Sequence, residues 1–308
     1  MKSITRTTWT ELDYEFLRKN YLTMSNGEIS EALGKTKSAI QNKLKVLGFK
    51  RPEKYTYQQN YFENIDSEHK AYWLGFFYAD GYVNKTDSGY CCGIELKASD
   101  INHLKKFNKS IGGNVEPKIR NRVDSRIGET SIASIRLFSK KMYQDLCNKG
   151  CVERKTDKIQ MPDIDEKYMW AFIRGFFDGD GCIILNKQRN CARFDFCSSS
   201  LQMLEQLRVF LYSKGVFSYI NKSTQSSGAI KRTIPNYRLC IAGMENGYIF
   251  ATNIYANATI YLDRKHDKWE KILEEYDIVN RINADRHHGG VRHKNTKRTK
   301  FASLFGNE

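Results

Sequence analysis

Two stretches of the chain decide its fold: AYWLGFFYADG at Ala71–Gly81 and AFIRGFFDGDG at Ala171–Gly181. They lie 100 residues apart, and Gly, Phe, Phe, Asp and Gly coincide at five of the last seven positions. Each stretch is apolar along most of its length and ends at a glycine, as a buried helix does. The first prediction is therefore a pair of similar helices within an internal repeat.

The similarity continues beyond the two helices. IELKAS at Ile94–Ser99 lies opposite FDFCSS at Phe194–Ser199, and IRLF resembles YRLC further on. ERKTDK at Glu153–Lys158 then matches DRKHDK at Asp263–Lys268 with an offset of 110. The larger offset predicts a longer polar insertion in the second copy, at Lys222–Asn236.

Each copy reads as helix, two strands, helix, two strands, helix. Apolar and polar residues alternate in GIELK and RFDFC, which indicates half-buried strands. The predicted fold class is α+β, with a pseudo-twofold pair of αββαββα halves over residues 60–160 and 161–280. Each half is expected to contain a four-stranded antiparallel sheet.

Charge and composition narrow the choice of partner. The 308 residues include 50 Lys and Arg against 35 Asp and Glu, a net charge of +15, which favours a polyanionic partner. No apolar run approaches the roughly 20 residues of a membrane span, so we expect no membrane partner. The eight cysteines form no C-x-x-C pair, which favours reduced thiols and a cytoplasmic setting, in a bacterial nucleoid, a phage-infected cell or an organelle matrix.

The two repeated helices end in acids. Small residues four apart share one face of each helix: Gly75 and Ala79, Gly175 and Gly179. These faces predict close packing of the two helices, which would bring Asp80 and Asp180 together at two helix C-termini. The helix dipole and mutual repulsion disfavour carboxylates there. The repeated placement therefore predicts a bound divalent cation.

The paired motifs resemble those of the LAGLIDADG homing endonucleases, over roughly residues 60 to 280. The resemblance implies a site-specific endonuclease that makes a staggered cut in double-stranded DNA, with the two sheets forming a saddle over the duplex. It also implies a monomer that acts as a pseudo-dimer. Asp80 and Asp180 map onto the family's metal-binding acids, for Mg²⁺ (or Mn²⁺), with the carbonyls of Ala79 and Gly179 as further ligands. The motif departs from the pattern at Tyr78, which is not a metal-ligand position.

Two lysines match in the repeat. Lys155 and Lys265 resemble the family's peripheral active-site lysines, which would neutralise developing charge. Ordinary ion pairs with Asp157 and Asp267 are the open alternative. Lys97 stands opposite Cys197, on strands that in the family supply a water-organising polar side chain, and this unequal pair gives only weak support for a catalytic role.

One face of each predicted sheet alternates polar and basic residues and is expected to contact DNA. Arginine can read guanine, whereas phosphate contact needs only charge, and each residue alone could equally be a solvated surface charge. The candidates in the first half are Lys97, Lys118, Arg120, Arg122, Arg126 and Arg136. Those in the second half are Lys187, Arg189, Arg193, Lys222, Arg232 and Arg238.

Residues 1–55 predict a separate module of three short helices, with capping-box spacing at Thr10 and Asp13 and again at Ser25 and Glu28. Eleven Lys and Arg stand against six Asp and Glu there. The module resembles a helix-turn-helix or SANT-like DNA-binding domain, and a protein-interaction module is the alternative. The third helix is expected to present a DNA-binding face: Lys37, Ser38, Gln41, Asn42 and Lys45. Its predicted core is Leu12, Phe16, Leu17, Ile29, Leu33, Ile40, Leu44 and Leu47.

Residues 281–308 hold seven Lys and Arg against two Asp and Glu and lack apolar periodicity, which predicts a flexible, basic, phosphate-binding tail. Relatives in the resembled family include RNA maturases and DNA-binding regulators that do not cut, and these remain alternative functions. An intein remnant is disfavoured, because the chain ends FGNE without a His-Asn junction.

Overall fold

The computed structural model describes residues 8–52, 55–87, 89–124, 128–186, 191–222 and 235–276. The chain divides into two compact units, Met1–Thr56 and Tyr57–Glu308. No helix in the described ranges combines the length and apolar character needed to cross a bilayer. The seven cysteines whose side chains are described are free thiols, as predicted.

The N-terminal unit contains the three predicted helices: α1 (Glu11–Asn20), α2 (Asn26–Leu33) and α3 (Lys37–Val46). Both predicted capping boxes are present, at the starts of α1 and α2. Gly34 ends α2 in the left-handed region, with φ of 63°, which glycine adopts without a Cβ penalty. A short turn then leads into α3, whose N-cap is Thr36.

The core of this unit consists of Leu17, Ile29, Ile40 and Leu44, with Phe16, Leu33 and Leu47 packed against it. The prediction was wrong for Leu12, which is 77% exposed. Leu12 and Leu17 are five residues apart, which places them roughly 140° apart around a helix of 3.6 residues per turn. A helix that buries Leu17 therefore turns Leu12 toward solvent.

The first half of the larger unit has the predicted αββαββα order. Its elements are α4 (Glu68–Ala79), β1 (Gly81–Thr86), β2 (Gly89–Lys97), α5 (Ile101–Ser110), β3 (Lys118–Asp124), β4 (Gly128–Leu137) and α6 (Lys140–Asn148). The second half repeats it as α7 (Met169–Asp180), β5 (Gly181–Asn186), β6 (Cys191–Ser198), α8 (Leu201–Ser213), β7 (Tyr219–Lys222), β8 (Tyr237–Ala242) and α9 (Met244–Tyr255). One further helix follows, α10 (Asp263–Tyr276).

The two antiparallel sheets have equivalent strand orders, β1-β2-β4-β3 and β5-β6-β8-β7. Ile94 pairs with Ile135, and Phe194 pairs with Ile241 at the equivalent place. All four side chains are buried, so one face of each sheet packs on the core. The other face carries the alternate residues of the same strands.

Helices α4 and α7 pack against each other through the predicted small-residue faces. A Cβ built on Gly75 would lie 2.0 Å from the Phe172 carbonyl oxygen. One built on Gly175 would lie 1.9 Å from the Tyr72 carbonyl oxygen. Neither distance leaves room for a methyl group, so the two backbones approach this closely only because both positions are glycine.

Candidate metal centre and sheet surface

The close helix contact brings the two motif acids to one place. Asp80 is the C-cap of α4, and Asp180 is the last residue of α7. A Cβ built on Gly179 would lie 2.2 Å from the Ala79 Cβ and 3.2 Å from Asp80 Oδ2. The carboxylate of the first half therefore lies against the backbone of the second helix.

The pKa of each motif acid is raised, mainly by burial. Burial raises the pKa of Asp80, an effect that Lys265 and Lys155 oppose. Burial and then the charge of Asp80 raise the pKa of Asp180 to about 7. Two oxygen donors that resist ionisation next to each other are a suitable pair for a hard divalent cation, which would offset their charge.

The two repeat-matched lysines lie at the ends of the motif helices. Lys155 Nζ donates to the Ala79 carbonyl at 3.0 Å. Lys265 Nζ donates to the Phe177 carbonyl, to the Gly181 carbonyl at 2.6 Å and, more weakly, to the Gly179 carbonyl at 3.4 Å. These contacts place both ammonium groups beside the acids rather than in the alternative ion pairs. The same Ala79 and Gly179 carbonyls are the predicted metal ligands, and a carbonyl oxygen has a second lone pair to offer.

Lys265 is the more buried of the two lysines, only 5% exposed. Burial lowers its pKa to about 8, against the opposing charge of Asp178. An ammonium group among backbone carbonyls favours negative charge nearby, which is the property expected of a group that neutralises a phosphate in reaction.

Sequence reasoning missed Arg264. It lines the same pocket as Asp80, Gly179 and Lys97, and its Nε donates to Asp100 Oδ2 at 2.9 Å. The signal was present, because Arg264 belongs to the repeated R-K-x-D-K segment. Its counterpart Arg154 has a different conformation, with φ of 52° in the left-handed region. The two copies of the segment are thus not equivalent in structure.

The unequal motif position has a structural explanation. Asp178 is fully buried and accepts hydrogen bonds from Tyr72 Oη at 2.8 Å, Tyr255 Oη at 2.7 Å and the Leu262 amide at 2.7 Å. The last bond fixes the chain just before α10, which carries Arg264 and Lys265. Tyr78 instead donates to the Lys149 carbonyl at 2.5 Å, at the end of α6.

The strand registers place most of the predicted DNA-contacting residues on the faces turned away from the core. Two residues that pair across neighbouring strands lie on the same face of the sheet. Buried pairs mark the face that packs on the core, and the alternate pairs therefore lie on the outward face. The outward set contains Lys97, Lys118, Arg120, Arg122, Arg136, Arg193 and Arg238. Lys222 pairs with Tyr237 and lies two residues after the inward-facing Ile220 on β7. Its side chain is therefore on the core-facing side of the sheet, at the end of the strand. Strand alternation therefore does not support its predicted place on the DNA-facing surface.

Several predicted residues lie outside the described part of the chain: Arg126, Lys187, Arg189, Arg232 and the tail at 281–308. The five predicted residues of α3 are described and exposed: Lys37, Ser38, Gln41, Asn42 and Lys45. In a helix of 3.6 residues per turn, Ser38, Asn42 and Lys45 lie away from the buried Ile40 and Leu44. Lys37, seven residues before Leu44, lies on the same side of the helix as Leu44 and is exposed in its first turn.

Residues 167–255 match the LAGLIDADG-like domain family. The match covers most of the predicted second half, residues 161–280. The homing endonuclease I-WcaI bound to its DNA recognition sequence superposes with a TM-score of 0.50 at 14% identity, over 68% of this chain and 91% of that one. The two halves thus share the LAGLIDADG fold, as the repeat predicted.

Two proteins of Methanocaldococcus jannaschii are similar in sequence. MJ0314 is 30% identical over 124 residues, which cover 40% of this chain and 45% of that protein. MJ1054 is 25% identical over 183 residues, which cover 56% of this chain and 19% of that protein. The chain therefore spans less than half the length of each relative.

Proposed function

We propose that the chain is a site-specific endonuclease that hydrolyses both strands of duplex DNA and leaves a staggered cut. The observation that carries the proposal is the placement of Asp80 against the Gly179 backbone, beside Asp180, whose pKa its charge raises. Two carboxylates held in an arrangement that disfavours their charge are suited to binding a cation rather than to stabilising the fold. The LAGLIDADG fold adds weight as an analogy.

The donor set fits Mg²⁺ or Mn²⁺. Asp80 and Asp180 would hold it through carboxylate oxygens, with the Ala79 and Gly179 carbonyls next to them, and all four are hard oxygen donors. When bound, such an ion supplies Lewis acidity toward a phosphate and acidifies water. One chain contributes both acids, so a monomer can serve two strands as a pseudo-dimer does.

The surrounding cations have distinct tasks in this proposal. Lys155 and Lys265 are held at the helix ends by backbone carbonyls, where their charge can stabilise the extra negative charge that develops on a phosphate. Arg264, fixed by Asp100, adds a third cation on the side of the first sheet. The outward arginines and lysines of both sheets would orient the duplex over this centre.

The N-terminal unit is proposed to bind DNA as well. The short turn between α2 and α3 and the exposed polar face of α3 suit a helix that enters a major groove. This module would lengthen the bound site beyond the part that the two sheets cover.

The proposal is tested by incubating the purified full chain and Mg²⁺ with a library of randomised duplexes and sequencing the ends produced. Asp80→Asn and Asp180→Asn should each abolish cutting while DNA binding persists. Asp267→Asn is a control for the same charge change, because Asp267 is an exposed acid on α10 outside the two motifs. Binding to an intron RNA without cleavage of any duplex would instead favour a maturase, and sequence-specific duplex binding without cleavage would favour a regulator.

A further inference from the structure

Two acids lie on the outward faces of the sheets at equivalent positions of the repeat. Glu95 on β2 stands between the buried Ile94 and Leu96, and Asp195 on β6 stands between the buried Phe194 and Phe196. Strand alternation therefore turns both carboxylates toward the surface that carries the outward arginines. Negative charge is unfavourable on a surface that meets phosphates, so its presence in both halves requires an explanation.

In the first half, one oxygen of Glu95 holds two guanidinium groups. Oε1 accepts from Arg120 Nη2 at 2.6 Å and from Arg136 Nη2 at 3.1 Å. Arg120 lies on β3 and Arg136 on β4, so the acid joins side chains from three adjacent strands. Hydrogen bonding to Glu95 raises the pKa of Arg136, in keeping with a firm contact.

Asp195 forms a similar cluster in the second half, with one hydrogen-bonded arginine and one at ion-pair distance. Its Oδ2 accepts from Arg193 Nε at 3.2 Å and Nη2 at 2.9 Å, and Arg238 Nε lies 3.8 Å from it. Arg238 and Arg136 are matched in the segments YRLC and IRLF, but their registers differ, since Arg136 pairs with Gly93 and Arg238 pairs with Cys197. The other arginine of each cluster lies on a different strand of its sheet: Arg120 is on β3, whereas Arg193 is on β6, the strand of Asp195 itself. We refer to these two groups of one acid and two arginines as the arginine clusters.

The clusters are poorly explained as devices for folding alone. The Asp195 side chain is 1% exposed, yet its Oδ1 has no hydrogen-bond partner among the described residues. A buried polar atom without a partner lowers stability. Asp195 thus holds Arg193 by hydrogen bonds although its own second oxygen has none among the described residues.

The carboxylates fix the orientation of the arginine side chains. A free arginine side chain carries about 2 kcal/mol of rotamer entropy. A side chain whose guanidinium is already held along one edge by a carboxylate loses less of this entropy when it binds DNA. Each cluster also has a net charge of only +1 instead of +2, which weakens attraction to phosphates of any sequence. Fixed direction with reduced charge favours base-edge contacts over phosphate contacts.

We propose that Glu95 and Asp195 are positioning residues that aim Arg120, Arg136, Arg193 and Arg238 at base edges and suppress sequence-independent binding. This inference rests on the proposed DNA-binding function. In this proposal Glu95 and Asp195 contribute to DNA-sequence specificity through the arginines, without contacting DNA themselves.

The test measures binding of the full chain to a labelled 30-base-pair duplex of random sequence across a salt titration, without Mg²⁺. Glu95→Gln should tighten this binding about threefold or more. It should also steepen the dependence of log K on log salt by up to about 0.9 for each phosphate contact that the released arginines gain. The control is Glu129→Gln, an equal charge change on β4 at a position that pairs with Val123 and lies on the other face. It should change binding less than twofold.

An arginine-deficient background separates positioning from simple loss of charge. In Arg120→Gln, Arg136→Gln, the further change Glu95→Gln should have no more effect than Glu129→Gln. On a duplex selected as the cleavage target, Glu95→Gln should lower the ratio of target to random affinity. Because Asp195 is buried and Asp195→Asn can impair folding, Glu95 carries the test.

Three results would overturn the positioning role while the wild-type chain still binds and cuts its target. They are equal effects of Glu95→Gln and Glu129→Gln, an effect of Glu95→Gln that persists without the two arginines, and a lowered melting temperature with unchanged binding. A wild-type chain that binds neither the random duplex nor any selected one would overturn the proposed function itself, and this inference with it.

Discussion

The charge arrangement at Asp180 makes a prediction about stability as well as activity. Asparagine resembles the neutral, protonated acid, so Asp180→Asn removes an ionisation that the folded chain disfavours. Without divalent ions at pH 8, we expect the variant to be more stable than the wild-type chain, although it should be unable to cut DNA. A site that costs stability in exchange for a ligand is typical of functional carboxylates.

The magnitude follows from the pKa of Asp180, raised from 3.8 to about 7. Three pKa units correspond to about 4 kcal/mol, and screening at this partly exposed position reduces the expected gain to roughly 2 to 4 kcal/mol. The folded state holds the proton more tightly than the unfolded state. Stability is therefore lost as pH rises through the window from about 4 to about 7, and the advantage of Asp180→Asn should shrink below about 1 kcal/mol at pH 4.

The assay is urea unfolding of both proteins at pH 4, 6 and 8 in EDTA, repeated at pH 8 with Mg²⁺. Mg²⁺ should stabilise the wild-type chain, by about 2.7 kcal/mol at one hundred times its dissociation constant, but should leave the variant unchanged. Asp267→Asn provides the control for a surface charge change. A variant that is no more stable than wild type at pH 8, or a gain independent of pH, would refute the reasoning.

Four other outcomes can be measured. Gly175→Ala should cost at least about 3 kcal/mol of unfolding free energy in urea, because its Cβ would lie 1.9 Å from the Tyr72 carbonyl oxygen; a near-neutral change would contradict the close helix packing. Asp178→Asn should lower the melting temperature and slow cutting, because a neutral amide weakens the contacts that fix the start of α10; unchanged activity would argue against this role. Replacing Lys37 and Lys45 together by alanine should reduce the salt slope of DNA binding by up to about 2, and an unchanged slope would remove α3 from the interface. The two halves differ around the site, so a time course on supercoiled plasmid should show nicked circles before linear product, whereas their absence would indicate equal strand rates.

Much of the fold could be predicted because it follows from local patterns. The repeated helices, the αββαββα order and the capping boxes each depend on residues close together in sequence. Leu12 shows the limit of such reasoning, because its apolar character favoured the core but its angular position on α1 did not. Lys222 was misplaced for a similar reason, since only the register of β7 shows on which face a short strand presents it.

The candidate site depended on contacts between distant segments, which local patterns do not reveal. Sequence placed Asp80 and Asp180 together because the small-residue faces required close helices. It did not place Arg264, whose position depends on Asp178 fastening the chain before α10 from inside the core. Nor did it show that Glu95 and Asp195 hold the outward arginines, because those pairs form across strands far apart in the chain.

The central claim is that Asp80 and Asp180 jointly hold the divalent ion that cuts DNA. The most direct test selects cleavable duplexes from a randomised library with the purified wild-type chain and Mg²⁺, then compares cutting of a selected duplex by Asp80→Asn, Asp180→Asn and Asp267→Asn. We expect cutting by the wild-type chain and by Asp267→Asn, none in EDTA, and none by either motif variant although both still bind the duplex. Cutting by either motif variant at the wild-type rate, or cutting that survives EDTA, would contradict it.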